Sequence, residues 1–279
     1  MKNLTLENIA RICGGTYYGP ADKLQEEVMS VITDSRKAEE GCLFVPIVGE
    51  RVDAHKFIPQ VMEAGALATL SERVLDNADF PYIAVESSLQ AVKDIAEFYL
   101  KQLQIPVVGI TGSVGKTSTK EVIASVLNQK YHTLKTQGNF NNELGLPLTV
   151  FRLRDGDEIA VLEMGISDFG EMHRLSKMVR PNVCVMTNIG QCHLENLGTR
   201  DGILKAKSEI FDFMADDGVI CLNGEDDKLS TLREIKGHVP HFFGLGGNDV
   251  EEVRAGEIES HGLWGSDAVL HFDELDNDR

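Results

Sequence analysis

The chain has few cysteines, little aromatic character and no long apolar run. Its 279 residues include five cysteines and one tryptophan. No two cysteines form a Cys-x-x-Cys pair, so neither a disulfide framework nor a zinc knuckle is indicated, and a reducing compartment is favoured. No segment is apolar over the roughly 20 residues that a membrane-spanning helix needs, and the N-terminus lacks the apolar core of a signal peptide. The sequence therefore predicts a cytoplasmic protein with no membrane insertion.

Positive charge is also scarce. The chain has 27 basic against 44 acidic residues, which gives a formal net charge of −17. Proteins that bind nucleic acid gain much of their affinity from clustered Lys and Arg that neutralise phosphates. No basic stripe is visible here, so no nucleic-acid partner is expected. The acidic excess is typical of a soluble protein rather than of a particular binding surface.

What the sequence does contain is an apolar strand, a glycine turn and a helix in direct succession. Residues 106–110 are apolar, residues 111–115 read Thr-Gly-Ser-Val-Gly, and apolar residues then recur at helical spacing. The backbone N–H groups of such a turn can surround an anion, and the helix N-terminus adds about half a positive charge. Lys116 can reach the outer phosphates of a nucleotide, and the Thr117 hydroxyl can bind Mg²⁺. We therefore predict an ATP site. Its residues are Thr111, Gly112, Ser113, Val114, Gly115, Lys116, Thr117 and Ser118.

The turn departs from the usual phosphate-loop pattern at one position. A glycine normally stands six residues before the lysine, whereas this chain has Ile110 there and glycines at 109, 112 and 115. Gly-Lys-Thr also occurs by chance, so an ordinary glycine turn between a strand and a helix is the alternative. The order of strand, turn and helix favours the phosphate site.

The arrangement of predicted elements indicates two α/β domains, which the length allows. Residues 1–103 alternate short apolar strands with helical stretches, and Ile105-Pro106 marks the boundary. In residues 104–279, strands alternate with helices, as a mostly parallel sheet flanked by helices requires. The predicted fold class is thus α/β, with a small N-terminal domain followed by a phosphate-loop ATPase-type sheet. The predicted strands of the second domain are Val107–Ile110, Ile159–Glu163, Val183–Asn188, Val219–Asn223 and His241–Leu245.

Polar residues follow successive strands of this second domain. Ligands of open parallel sheets collect at the carboxyl ends of the strands. Glu163 closes an apolar run, and a buried carboxylate is costly unless it is paired or bound to a metal. With Thr117 it is predicted to hold Mg²⁺, which prefers oxygen ligands. A strand-end Glu that is exposed to solvent is the alternative.

Three further groups of residues in this domain are candidates for function. His193 follows a strand and is either a surface residue or a group beside the phosphates, and imidazole is a poor first choice for magnesium. Asn223 and Asp226 either bind adenine or ribose hydroxyls or make an ordinary Asx turn. Lys205 and Lys207 lie near the start of a predicted helix. Because they oppose the helix dipole there, a functional reason for at least one of them is favoured.

Two polar segments are candidates for binding a substrate. Asp34-Ser35-Arg36 offers a hydroxyl and a guanidinium that could hold a diphosphate, although a capped turn with a surface arginine is the alternative. Residues 138–147 are rich in glycine and amide side chains and too polar for a core, which predicts a substrate loop over the phosphate turn. The candidate substrate-binding residues are Ser35, Arg36, Asn139, Asn141 and Asn142.

Together these segments resemble the Mur ligase family of peptidoglycan synthesis. The family's ATP loop has its first glycine where Gly112 stands, which accounts for the departure noted above, although Val114 replaces the usual Asn or Ser. The segments 138–143, 163–165 and 187–195 are most similar to members that add D-Ala-D-Ala to UDP-N-acetylmuramoyl-tripeptide. Residues 34–36 are similar to the family's UDP-binding domain. Members that add a diamino acid are the alternative.

The resemblance implies an ATP-dependent amide ligase that works through an acyl phosphate, with Lys116, His193 and Lys207 as catalytic residues. His193 is implied to assist a second Mg²⁺, and Lys207 matches a lysine that several members carry as a carbamate. The implied partners are UDP-N-acetylmuramoyl-tripeptide and D-Ala-D-Ala, and a monomer is expected.

Family members also have a C-terminal ligase domain that closes over ATP and binds the amine. The resemblance implies that this chain lacks that domain and that its second domain is incomplete at the C-terminal end. We therefore expect the 279 residues alone to ligate nothing. The alternative outside the enzymes is a non-catalytic module that binds nucleotide or UDP-sugar.

Overall fold

The computed structural model describes residues 1–49, 51–247 and 249–272. Contacts divide them into two compact units: the first comprises residues 1–105 and 136–158, and the second comprises residues 106–135 and 159–279. The helices α1 to α8 are Leu6–Ile12, Ile58–Glu63, Ser88–Leu103, Lys116–Leu127, Gly145–Val150, Glu171–Val179, Leu194–Leu197 and Arg200–Ser208. The strands β1 to β13 are Thr16–Tyr18, Ser30–Ile32, Cys42–Phe44, Ala68–Ser71, Tyr82–Ala84, Val107–Thr111, Thr133–Lys135, Ile159–Glu163, Val183–Met186, Val219–Asn223, His241–Gly244, Val253–Ser260 and Ser266–Phe272.

The first unit is built on a five-stranded sheet in the order β1-β5-β4-β3-β2. The last four strands of that order are parallel, and β1 is antiparallel to β5. Phe44 of β3 packs with Ile58 and Val61 of α2 in the core of this unit. Helix α3 begins at a Ser87 cap, whose hydroxyl accepts the N–H of Gln90. Its buried residues recur three to four positions apart, so one face of the helix is covered along its length.

The segment 136–158 packs against α3. The Tyr99 hydroxyl donates to the carbonyl oxygen of Leu153 at 2.6 Å. The ammonium of Lys93, which is itself buried, lies 3.0 Å from the carboxylate of Glu143. These two interactions connect α3 to residues 136–158. A single domain boundary at residue 103 would instead place those residues in the second domain. The division into domains 1–103 and 104–279 stays a prediction.

The second unit contains an eight-stranded sheet in the order β13-β12-β11-β10-β9-β6-β8-β7. All neighbours in it are parallel except β12 and β13, which pair antiparallel. Strand β6 lies between β8 and β9, and all five of its residues are buried. Each of the five strands predicted for this domain is present within a few residues of its predicted bounds. The predicted α/β fold with a mostly parallel sheet is confirmed.

No helix among the described residues is both long enough and apolar enough to cross a bilayer.

Candidate functional site

The glycine turn after β6 has the backbone that its sequence predicts. Gly112 has a φ of +149°, and a Cβ added there would overlap the hydroxyl of Thr187. Gly115 has a φ of +81° and precedes the first residue of α4. Only glycine suits both positions, because L side chains rarely adopt these angles. The chain therefore makes a tight turn from the carboxyl end of β6 directly into a helix N-terminus.

The loop after β9 fixes this turn by hydrogen bonds to its backbone. Ser113 N donates to Asn188 O at 3.0 Å, and Val114 N donates to Asn188 Oδ1 at 3.0 Å. The Thr187 hydroxyl donates to Val114 O at 2.6 Å, and Gly190 N donates to Ser113 Oγ at 2.8 Å. The Val114 side chain takes no part in these bonds and is 67% exposed. A valine is therefore accommodated at this position without loss of the turn.

Lys116 begins α4 and extends back over the turn. Its Nζ donates to the Gly112 carbonyl oxygen at 2.8 Å, so the ammonium lies above the glycine turn. Thr119 N donates to Gly115 O at 2.9 Å, which is the first bond of the helix. The N–H groups of residues 116–118 therefore precede the helical hydrogen-bond ladder, and such groups commonly bind anions.

Glu163 ends β8 beside β6 and is buried, with 2% of its surface exposed. Its Oε2 accepts the Thr117 hydroxyl at 2.9 Å. The hydroxyl oxygen of Thr111, at the end of β6, is buried and has no hydrogen-bond partner among the described residues. These are the hard oxygen donors that Mg²⁺ prefers, and Mg²⁺ usually takes its other ligands from water and phosphate. No group of three His, Cys, Asp or Glu side chains in the described ranges could hold a metal by itself. The residues thus fit one Mg²⁺ bound together with a nucleotide.

His193 is placed differently from the other predicted metal ligands. It precedes α7 with a φ of +51°, and its side chain is 41% exposed. Its Nδ1 lies 3.9 Å from a carboxylate oxygen of Glu195. Its part in binding a second metal stays a prediction.

The side chains of Asn223 and Asp226 form hydrogen bonds with nearby backbone groups. Asn223 Nδ2 donates to Thr187 O at 3.0 Å, and its Oδ1 accepts the N–H two residues further on. Asp226 accepts the N–H of Ile189 at 2.8 Å and two N–H groups of its own turn. This is the Asx-turn arrangement that the sequence left open. Both side chains support the loop that holds the glycine turn.

Lys205 and Lys207 lie in the last turn of α8, so the prediction that they oppose the helix dipole near its start is wrong, because lysines at a helix C-terminus complement the dipole. Lys207 is buried, with 1% of its surface exposed. Burial lowers the pKa of Lys207 to about 8; the Cys192 thiol acts in the opposite direction, and the Lys116 ammonium lowers the pKa further. Helix α8 therefore brings this amine to the neighbourhood of the glycine turn. An amine with a pKa near 8 is partly neutral at physiological pH, and only the neutral amine reacts with carbon dioxide.

A separate cavity of about 540 Å³ lies within the first unit. Asp34, Asn139 and Asn142 line it, and two cationic residues, Lys37 and Arg152, do so as well. Nothing in the local sequence distinguishes Lys37 or Arg152 from ordinary surface charges, so neither was predicted to bind substrate. The cavity joins the two polar segments that were predicted to bind substrate.

The other three residues predicted to bind substrate are Ser35, Arg36 and Asn141. Among the described residues, none of the three lines this cavity. Arg36 pairs with Asp34 through two hydrogen bonds of 2.9 and 2.7 Å. These bonds lower the pKa of Asp34 to about 2. Asp34 also accepts the N–H of Arg36, as in the capped turn that was the alternative. Ser35 and Asn141 are likewise absent from the lining.

The mostly parallel sheet and the succession of strand, glycine turn and helix assign this chain to the α/β proteins with a phosphate loop. A family model described as the Mur ligase middle domain matches residues 110–272. The chain belongs to the Mur ligase family, and the resemblance found in the sequence is confirmed.

Individual relatives agree with this assignment. The UDP-N-acetylmuramoyl-tripeptide--D-alanyl-D-alanine ligase of Bacillus subtilis (strain 168) is 44% identical over 229 residues, covering 81% of this chain and 50% of the relative. A crystal structure of MurF from Acinetobacter baumannii aligns with a TM-score of 0.84 at 36% identity, covering 95% of this chain and 60% of that one. MurF from Thermotoga maritima in complex with ADP aligns with a TM-score of 0.78 at 33% identity, covering 88% and 56%. The chain spans about half the length of the curated relatives it matches.

Proposed function

We propose that this chain forms the ATP-binding and UDP-sugar-binding parts of a ligase that adds D-Ala-D-Ala to UDP-N-acetylmuramoyl-tripeptide. The observation that carries the proposal is the Thr117–Glu163 hydrogen bond of 2.9 Å beside the glycine turn. This bond supports the proposal because a hydroxyl and a carboxylate are oxygen ligands of the kind that a nucleotide-bound Mg²⁺ takes. The relative from Bacillus subtilis, which carries the name of that activity, is 44% identical to this chain.

The nucleotide phosphates are proposed to bind at the start of α4. Asn188 already occupies the N–H groups of Ser113 and Val114. The N–H groups of residues 115–118 and the Lys116 ammonium are then the donors for the outer phosphates, with Thr111 and Gly112 shaping the turn beneath them. Asn223 and Asp226 are proposed to act indirectly, by supporting the loop 187–190.

Mg²⁺ would be held by Thr117 and Glu163, and when bound it supplies positive charge that neutralises the phosphate oxygens. His193 is proposed to assist a second cation from the exposed end of α7. Lys207 is proposed to act as a carbamate, since its lowered pKa of about 8 makes the reactive neutral amine available. A carbamate would place negative charge where an ammonium would repel a metal.

The proposed reaction forms an amide by way of an acyl phosphate, the mixed anhydride of the substrate's carboxylic acid and phosphate. The terminal carboxylate of the tripeptide attacks the γ-phosphorus of ATP, the bond from that phosphorus to the β,γ-bridging oxygen breaks, and ADP leaves an acyl phosphate behind. The incoming amine then displaces phosphate through a tetrahedral intermediate. Lys116 stabilises the charge that develops on the transferred phosphoryl oxygens, so positioning and electrostatics supply most of the acceleration.

The UDP-sugar is proposed to bind in the cavity of the first unit. A volume of about 540 Å³ is in the range of small-molecule sites. Lys37 and Arg152 offer positive charge to a diphosphate, and the amides of Asn139 and Asn142 offer hydrogen bonds to a sugar. Ser35, Arg36 and Asn141 stay candidates at the rim. The proposal includes a cytoplasmic, monomeric protein with no nucleic-acid partner.

Isothermal titration of UDP-N-acetylmuramoyl-tripeptide tests this assignment. We expect one molecule to bind per chain, and we expect the corresponding dipeptide, the acceptor of the diamino-acid adders, to bind about tenfold more weakly. Tighter binding of the dipeptide would favour a diamino-acid adder. If neither compound binds, the UDP-sugar assignment is wrong.

A binding module without catalysis is the second candidate, and the exposed position of His193 favours it. The discriminating assay is release of phosphate from ATP that depends on both the tripeptide and D-Ala-D-Ala. It is run with the chain alone and with the C-terminal half of a relative added in trans. Ligation in either reaction supports the ligase; binding of both substrates without ligation in either supports the module.

A further inference from the structure

A cavity of about 450 Å³ in the first unit has an aromatic wall. Tyr18 of β1 and Tyr82 of β5 are cross-strand partners, and both line this cavity. Their rings stack with centroids 4.7 Å apart and an angle of 7° between their planes. Tyr82 is buried, whereas Tyr18 is 38% exposed. The stack therefore leaves part of the Tyr18 ring open to a further planar group.

Two hydrogen bonds fix other parts of the cavity wall. The Tyr17 hydroxyl donates to the carbonyl oxygen of Pro20 at 2.9 Å, and Pro20 follows β1 in the lining. Leu75, on the segment before β5, donates its N–H to the Tyr82 hydroxyl oxygen at 3.2 Å. The wall is thus held in place before a ligand arrives, and a preorganised site loses less free energy on binding.

Asp79 gives the same cavity a negative charge. It is exposed, and in the described ranges its carboxylate has neither a hydrogen-bond donor nor a cationic partner. The faces of aromatic rings attract cations, and an unpaired carboxylate does so more strongly. An open tyrosine ring and a carboxylate in one cavity therefore favour a cationic ligand.

An adjoining cavity of about 670 Å³ extends the negative charge. Asp79 lines both cavities. Lys23 is the one basic residue that the structure places in the second lining, and its Nζ pairs with Glu26 at 2.7 Å. The other carboxylates of this lining belong to Glu40 and Glu63. The two cavities together thus carry more negative charge than a single cation neutralises.

We propose that these two cavities bind a basic peptide segment, with the guanidinium of an arginine stacked on Tyr18 and paired with Asp79. A guanidinium is planar, stacks on aromatic rings and forms two parallel hydrogen bonds with a carboxylate. An ammonium has the same charge but no flat face, so it uses only half of this site. Further basic side chains of the segment pair with the carboxylates of the adjoining cavity.

This inference does not depend on the proposed ligation. The aromatic cavity shares no lining residue with the cavity proposed for the UDP-sugar. None of the residues proposed to bind ATP lines it either. Peptide binding can therefore be measured with the nucleotide and UDP-sugar sites intact, and its failure says nothing about them.

The test is an NMR titration of the whole chain, followed through the backbone amide signals of Tyr18, Gly19 and residues 75–80. N-acetyl-argininamide is the first probe, and we expect it to bind with a dissociation constant of about 1 mM. The citrulline counterpart keeps the planar shape and lacks the charge, so it should bind at least about tenfold more weakly. The lysine counterpart should be weaker by about threefold or more, because it does not stack. Added salt should weaken binding of the arginine compound.

A short peptide distinguishes a segment from a free guanidinium compound. Acetyl-Arg-Lys-Lys-amide should bind about tenfold more tightly than N-acetyl-argininamide, because its lysines reach the adjoining cavity. Equal affinity of the two probes would overturn the assignment to a peptide. Binding of the citrulline compound as tightly as the arginine compound would overturn the assignment to a cation.

Variants locate the site. Asp79→Asn should weaken binding of N-acetyl-argininamide by about tenfold. Asp76→Asn is the matched control, since Asp76 is exposed on the same segment and does not line the cavity. Tyr18→Leu should also weaken binding, whereas Tyr18→Phe, which keeps the ring and its stack on Tyr82, should bind as the wild type does. Unchanged affinity in Asp79→Asn, or no binding of the arginine compound to the wild type, would overturn the inference.

Discussion

Thr117 and Glu163 lie 46 positions apart in the sequence, and a hydrogen bond of 2.9 Å joins the hydroxyl of one to the carboxylate of the other. The first belongs to α4, which starts where the glycine turn ends, and the second ends the neighbouring strand β8. Glu163 is buried, and a buried carboxylate needs compensation from donors or a cation. The pair therefore joins the helix N-terminus to the sheet edge at the place proposed for Mg²⁺.

Glu163→Gln keeps the shape of this side chain and removes its charge. Because an amide is a weaker magnesium ligand, we expect MgATP to bind about 10–100-fold more weakly and Mg²⁺ to strengthen nucleotide binding less. Titration with ATP at several Mg²⁺ concentrations measures both effects. Glu259→Gln, on the exposed part of β12, is the control and should behave as the wild type. An unchanged dependence on Mg²⁺ in Glu163→Gln would remove this residue from the metal site.

Gly112→Ala should distort the glycine turn. The new Cβ would overlap the Thr187 hydroxyl, and the backbone has a φ that alanine rarely adopts. We expect a loss of about 1–3 kcal/mol in the free energy of unfolding, together with weaker nucleotide binding. Thermal unfolding measures the loss of stability, and titration with MgATP measures the loss of nucleotide affinity. Gly156→Ala is the matched control, since a Cβ there meets nothing within 4 Å. Equal stability of both variants would show that the turn is more adaptable than its contacts indicate.

Lys207 should take up carbon dioxide as a carbamate, and the uptake should depend on pH. The folded pKa of about 8 lies below the usual 10.5, so the neutral amine becomes available as the pH rises through about 8. Carbon-13 NMR with labelled bicarbonate should show one carbamate signal that grows over this interval. Lys207→Arg should lack the signal, and Lys205→Arg, which replaces an exposed lysine of the same helix, should retain it. A signal that persists in Lys207→Arg would contradict the assignment.

The same pKa shift makes a prediction about stability in the absence of carbon dioxide. Between about pH 8 and 10.5 the unfolded state binds more protons at Lys207 than the folded state does. The contribution of this residue to the free energy of unfolding therefore rises with pH across that window and is least favourable below it. Lys207→Met should gain stability relative to the wild type at pH 7, and the difference should shrink by pH 10. Urea unfolding at the two pH values checks this, and a difference that does not change with pH would refute it.

Arg152→Met should weaken binding of UDP-N-acetylmuramoyl-tripeptide and leave MgATP binding unchanged. Arg152 lines the cavity of the first unit, and a charged hydrogen bond to a diphosphate contributes about 1.5–3 kcal/mol. Lys37→Met should act in the same direction. Lys101→Met, at an exposed pair on α3, is the control. Titration with each ligand measures the effects. Equal loss for both ligands would indicate damage to the fold rather than to the cavity.

Local sequence was sufficient to predict the glycine turn, its strand and its helix. Each of these depends on residues within a few positions, such as the glycines with positive φ at 112 and 115. It was less informative about which face of α4 is buried. Val122 and Val126 are exposed, whereas Ala124 and Lys120 are buried. The helical spacing located the helix, but its orientation depends on the sheet beside it.

Other features depend on contacts between distant segments and could not be read from local patterns. Residues 136–158 group with the first unit through contacts such as the bond from Tyr99 to Leu153, whose partners are 54 positions apart. The sequence left the Asx turn at Asp226 open, because its acceptor role depends on Ile189 in another loop. The cations of the cavity, Lys37 and Arg152, were missed for the same reason.

The most direct test of the account is a titration of MgATP into the wild-type chain and into Lys116→Ala, with circular dichroism to confirm that both are folded. The account predicts binding of one nucleotide to the wild type and affinity at least about a hundredfold weaker in the variant, because the ammonium above the turn is lost. A folded variant that binds MgATP as tightly as the wild type would contradict it.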